Sequence, residues 1–127
     1  MFTYNATIVK VVDGDTIDVK IDLGFDIWHH TRLRLAGIDA AEHNTQFGKA
    51  VKAFLAASLE GKDVVITTTK PDKYGRYLAD IYFPQSMVSI NEQMIIDGLA
   101  KRYSGSSKLG LWTVEELKNT KINSILK

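Results

Sequence analysis

Apolar and polar positions alternate through the first third of the chain. Ala6, Ile8 and Val11-Val12 lead into Asp13-Gly14, after which Ile17, Val19, Ile21 and Leu23 fall on one face of the next segment. Alternation is the period of a half-buried strand. Asp-Gly between two such runs is a hairpin signal, since glycine supplies the positive φ that a tight turn favours. A third strand is predicted at about Trp28 to Ala36, with Leu33 and Leu35 opposite Arg32 and Arg34. The period then lengthens. Phe47, Ala50, Val51, Phe54 and Leu55 recur at the spacing of one helix face, and Gly61 is a fitting stop for it. Val64 to Thr69 is rich in β-branched residues and reads as a fourth strand. The polar turn Asp72-Lys73-Tyr74-Gly75-Arg76 leads to a fifth at Tyr77 to Phe83. Ser89 with Glu92 is a capping box for a second helix ending before Gly98, and Thr113 with Glu116 repeats it for a third.

Three strands, a helix, two strands and two helices make an α+β domain. A five-stranded sheet of this length closes most economically as an OB-fold barrel, here with about three helices. At 127 residues the chain suits one domain, residues 1–127, around one core. Composition narrows the class without naming it. With 45% hydrophobic and 24% charged residues, both disorder and membrane insertion are disfavoured. Met1 is followed at once by Phe2-Thr3-Tyr4, with no basic or apolar leader, so a cytoplasmic product is expected. The absence of cysteine excludes disulfides and thiolate metal sites. A net charge of +1 does not point to nucleic acid, so such a partner must be argued from local groups.

Three segments carry candidate chemistry. Asp15, by strict alternation, shares a face with Ile17, Val19 and Ile21, where a carboxylate needs a cation or donors to meet it. The plainer reading is a hairpin turn with its parity broken by a bulge. In Arg32 to Glu42, two arginines on a strand are followed by a turn carrying Asp39 and Glu42. Guanidinium offers a phosphate two parallel hydrogen bonds, and carboxylates suit a hard cation such as Ca²⁺ or Mg²⁺. The same pattern describes a solvated strand face with Arg–Asp pairs worth little energy. On the catalytic reading, Arg34→Ala and Arg76→Ala are each expected to reduce cleavage by orders of magnitude with little loss of folding. Lys73 and Arg76 flank a glycine-containing turn able to present cations to an anion. Together the three segments hold what phosphodiester cleavage requires: metal ligands, cations for the transition state and a group to orient water.

The segments Val12-Asp13-Gly14-Asp15-Thr16, Arg34-Leu35-Ala36-Gly37-Ile38-Asp39-Ala40-Ala41-Glu42, Asp72-Lys73-Tyr74-Gly75-Arg76 and Gly98-Leu99-Ala100 resemble, in order and spacing, those of the staphylococcal (micrococcal) nuclease family. The resemblance runs from about Tyr4 to Tyr103. It implies an OB-fold and Ca²⁺-dependent hydrolysis of DNA and RNA to 3′-phosphate ends, by a monomer. It also implies Asp15, Asp39 and the Ala40 carbonyl as metal ligands, and Glu42 as the residue that orients or deprotonates water. Arg34 and Arg76 correspond to the phosphate-gripping arginines, and Lys73 and Tyr103 to residues lining the nucleotide pocket. Ala41 stands where the family commonly has proline, which removes a restraint on the loop carrying Glu42. Gly110-Leu111-Trp112 precedes the last capping box, whereas the family places such a tripeptide after its last helix.

Two other classes are open on the residues. A non-catalytic OB-fold module would bind nucleic acid equally with and without Ca²⁺. A partner-binding domain would use Trp28 and Trp112 as anchors, although lone tryptophans more often pack in cores. His29 and His30 point to opposite faces of a strand and cannot readily share one ion, and His43 reads as a surface residue.

Overall fold

The computed structural model describes residues 2–42, 44–71 and 76–103. Its strands are β1 (Phe2–Asp13), β2 (Thr16–Asp22), β3 (Trp28–Leu35), β4 (Ile38–Ala40), β5 (Asp63–Pro71), β6 (Tyr77–Tyr82) and β7 (Ala100–Arg102). The helices are α1 (Gln46–Leu59) and α2 (Ile90–Ile96). The strands β1, β2, β3, β6 and β5 close into a barrel in that order, while β4 and β7 form a separate two-stranded sheet. Counting barrel strands only, this is the expected five-stranded OB-fold. The third helix expected after Thr113 lies outside the described residues.

Closure depends on β1 pairing on both sides. Its first half, Phe2 to Thr7, runs antiparallel to β5, and its second half, from Ala6 to Asp13, runs antiparallel to β2. Register shifts between Ile8 and Lys10 and between Val11 and Asp13 mark bulges. Bulges increase the bend and twist of a strand, which a barrel of so few strands requires. The other closing contact is the parallel pairing of β3 with β6, Leu33 opposite Tyr77 and Leu35 opposite Ala79. The alternation read in the sequence points inward: Ile8, Ile17, Val19, Leu33, Ile66 and Ile81 are fully buried. Leu23 breaks the expected pattern, because β2 ends at Asp22 and the side chain is exposed in the following turn.

Helix α1 begins where Thr45 accepts a hydrogen bond from the Gly48 amide, and buries Phe47, Val51, Leu55 and Leu59. Its predicted stripe holds except at Phe54, which is exposed. Beyond the helix, Gly61 donates to the Ile8 carbonyl (2.7 Å) and the Glu60 carboxylate accepts from the Val11 amide (2.8 Å). At α2, Ser89 caps the Glu92 amide as expected, and the Glu92 carboxylate pairs with Arg102 of β7 at 2.8 Å. No helix among the described residues is long and apolar enough to cross a membrane.

Arg32 holds Asp18, and Arg102 holds Glu92, below the usual carboxylate range, so these exposed pairs add a small stability above the ordinary carboxylate pKa that is lost as acid protonates them. Asp80 on β6 behaves oppositely, because burial pushes its carboxyl up. Burial penalises the charged form. Asp80 therefore costs stability above its raised pKa, and the cost vanishes as pH falls below the ordinary aspartate value. Asp80→Asn is expected to unfold at a higher temperature than the parent at pH 7, with the difference shrinking toward pH 4. Calorimetry across that range checks it, and a difference independent of pH would remove ionisation as the cause.

Candidate active site

The turn between β1 and β2 consists of Gly14 and Asp15, and both residues reach out of it. The Asp15 carbonyl accepts from the Leu35 amide (2.8 Å), tying the turn to the end of β3. One Asp15 carboxylate oxygen accepts from the Thr16 hydroxyl (3.1 Å) and the other from the Ala40 amide (3.3 Å). Gly14 does not serve the turn as the sequence suggested, since its φ is not positive. Its role is close approach. A Cβ there would lie 2.5 Å from the Ala40 Cβ, with Val51 Cγ1 in ordinary contact at 3.5 Å, so a side chain would push the turn off β4.

Arg34 is the centre of the arrangement. It is buried, only 8% exposed, as are its neighbours Leu33 and Leu35. The solvated-strand reading thus holds for Arg32, which is exposed and pairs with Asp18 at 2.8 Å, and fails for Arg34. Its Nη1 donates to the Leu35 carbonyl and its Nη2 to the Ile38 carbonyl, each at 2.7 Å. Nη2 also lies 3.4 Å from the Asp15 carboxylate. Gly37, with φ at 75°, makes the left-handed turn that brings the Ile38 carbonyl within reach. The Tyr103 ring lies over the guanidinium, 5.7 Å from Cζ to ring centroid, and the Tyr103 amide donates to the Gly37 carbonyl (2.9 Å). That separation is within the range of a cation–π attraction.

Asp39 is 5% exposed and stands between the Ile38 carbonyl bound by Arg34 and the Ala40 amide bound to Asp15. Pairing of β4 with β7, Asp39 opposite Lys101, holds that segment in place. The fold therefore gathers Asp15, Arg34, Asp39, Ala40 and Tyr103 from four separate stretches of chain into one place. Glu42 is exposed two residues beyond β4. Arg76 is half-buried and immediately precedes β6, where Leu78 is the partner of Arg34. Lys73 and His43 lie outside the described residues.

Sequence reasoning missed the small sheet of β4 and β7, whose three-residue strands are too short to show a period. It also missed Asn91, buried on α2, whose side chain donates to the Ala36 and Ala79 carbonyls and accepts from the Ile81 amide. Nothing but its polarity beside the buried Ile90 signalled that role.

The sequence matches the family described as "Staphylococcal nuclease homologue" over residues 32–121. The chain belongs to this family. It is 35% identical over 96 residues to a protein of Escherichia coli O157:H7 named "Uncharacterized endonuclease", covering 76% of this chain and 59% of that relative. It is 33% identical over 107 residues to the "Micrococcal nuclease" of Shigella flexneri, covering 79% of this chain and 59% of that relative. The chain thus spans about three fifths of the length of these relatives.

Among the described residues, no three His, Asp or Glu side chains cluster as a ready-made metal cage. The donor set at Asp15, Asp39 and the Ala40 carbonyl is nonetheless all hard oxygen, with the Asp15 carboxylate against the Ala40 amide. It fits a cation that accepts about six to eight oxygens and takes the remainder from water or substrate.

Removing the guanidinium strands two carbonyls that it now satisfies. Arg34→Ala is therefore expected to lower the unfolding free energy by about 2–4 kcal/mol, from the cost of unsatisfied buried acceptors. Urea titration measures it. A loss below ~0.5 kcal/mol, typical of a surface substitution, would contradict the buried role assigned to Arg34.

Proposed function

We propose that this chain is a Ca²⁺-dependent nuclease that hydrolyses phosphodiester bonds of DNA and RNA and leaves 3′-phosphate ends. The observation that carries the reading is the buried Arg34, clamped between the Asp15 turn and the Asp39 segment in a chain of the staphylococcal nuclease family. Hydrogen bonds to two carbonyls fix the guanidinium and leave further N–H donors for a phosphate. A preorganised cation is worth most where charge develops in the transition state. A bound Ca²⁺, held by the Asp15 and Asp39 carboxylates and the Ala40 carbonyl, supplies positive charge at the phosphate.

Glu42 orients a water for in-line attack on phosphorus and takes its proton. The new O–P bond forms as the bond to the 5′-oxygen breaks. That oxygen departs beside Arg76 and is protonated by solvent, giving a 5′-hydroxyl on one product and a 3′-phosphate on the other. Arg34 covers an equatorial oxygen, while Lys73 and Tyr103 line the nucleotide pocket. The Tyr103 ring already stacks over Arg34, so the base-side wall and the phosphate-side cation share one support.

Purified protein incubated with single-stranded DNA, in Ca²⁺ or in EGTA, tests the proposal when product ends are analysed. Cutting only with Ca²⁺, to 3′-phosphate ends, is the expected outcome. Arg76→Ala should reduce kcat by about 10²–10³-fold, the usual loss for one transition-state donor. DNA retained equally in both conditions and left uncut would replace this reading with that of a non-catalytic binding module.

A further inference from the structure

The Glu42 side chain is exposed, yet its backbone is held from both sides. Ala41, just before it, is buried in the core cluster. The Glu42 carbonyl accepts two hydrogen bonds from Thr45, one from its hydroxyl (2.7 Å) and one from its amide (3.1 Å). The Thr45 hydroxyl in turn accepts from the Gly48 amide (3.0 Å). A relay thus runs from the first turn of α1 through one hydroxyl to the Glu42 carbonyl, and bonds in such a chain polarise one another. Gly48 completes it by having no side chain. A Cβ at Gly48 would fall 1.8 Å from the Glu42 oxygen and 2.6 Å from its carbonyl carbon. The obstacle is backbone, so a methyl group there can be accommodated only by moving the Glu42 peptide or the helix.

We propose that Thr45 and Gly48 are positioning residues for Glu42: they seat its carbonyl against the first turn of α1 and so set where its carboxylate meets the attacking water. An ordinary helix cap would need only the bond from the Gly48 amide to Thr45. It would not require a glycine three residues later, nor spend the capping hydroxyl's proton on the carbonyl of residue 42. The inference rests on Glu42 acting as proposed above, and the test separates the two.

Steady-state kinetics on single-stranded DNA with Ca²⁺ would be measured for Gly48→Ala, Thr45→Val, Thr45→Ser and Glu42→Gln, alongside thermal unfolding. A displacement on the order of 1 Å at a catalytic group costs up to about 10²-fold, so Gly48→Ala should lower kcat by about 10–100-fold and leave KM within about twofold. Thr45→Val should do the same to a smaller extent, and Thr45→Ser, which keeps the hydroxyl, should restore kcat. The deciding comparison is Gly48→Ala in the Glu42→Gln background. A residue acting through Glu42 has nothing left to position there, so the second change should add no further loss in kcat. Additive losses, or a fall in kcat that tracks only the loss of folded protein, would overturn the positioning role. A fall with Glu42→Gln but none with Gly48→Ala or Thr45→Val would overturn it while leaving the nuclease mechanism intact. Full activity in Glu42→Gln would remove Glu42 from the mechanism and this inference with it. If Gly48→Ala fails to fold, the Thr45→Val and Thr45→Ser pair decides by the same criteria.

Discussion

Arg34 bonds two backbone carbonyls that belong to different strands, and most of the site's geometry follows from that fact. Through Leu35 and Ile38 it fixes how β3 turns into β4. Through Asp15 it sets the distance between that corner and the β1–β2 turn. A buried guanidinium is costly unless its donors are satisfied and its charge is met. The fold meets that condition with polar groups that a nuclease site of this kind would itself use. Stability and preorganisation therefore draw on the same contacts, and neither can be altered alone.

Asp15 and Arg34 face each other at 3.4 Å, a separation longer than a tight ion pair. A cation beside Asp15 and a phosphate beside Arg34 would each find a group already held near its place but only loosely committed to the other. Rigid backbone with loosely paired side-chain charge suits exchange of partners on binding, because little structure has to be broken first. The net charge of +1 makes local arrangement more important still, since the chain as a whole does little to attract a polyanion.

The barrel was legible because its strands are long and one-sided, so alternation at Ile17, Val19 and Ile21 and the stripe from Phe47 to Leu55 both carry a period. The candidate residues were legible because they stand in short segments with fixed spacing around turns. What could not be read is whatever depends on approach between segments. Alternation alone does not separate Arg34 from Arg32; the fold buries Arg34 against β4 and Tyr103 and leaves Arg32 a surface partner of Asp18 across β2. Gly14 was credited with a backbone angle when the fold uses its lack of a side chain against Ala40. Asn91 and the β4–β7 pairing leave no period at all, since a single buried amide or three paired residues fall below any pattern window.

The pairing of β4 with β7 places a constraint on timing. β4 carries Asp39 and follows the first three barrel strands, but its partner Ala100–Arg102 comes some sixty residues later in the chain. A chain that folds as it is synthesised, from its N-terminal end, can shape the β1–β2 turn early and must leave the Asp39 segment without its neighbour until nearly all of the described residues have been made. Asp15, Arg34, Asp39 and Glu42 are encoded early and the strand that braces their segment is encoded late, so partly made chains carry these residues without the assembled centre.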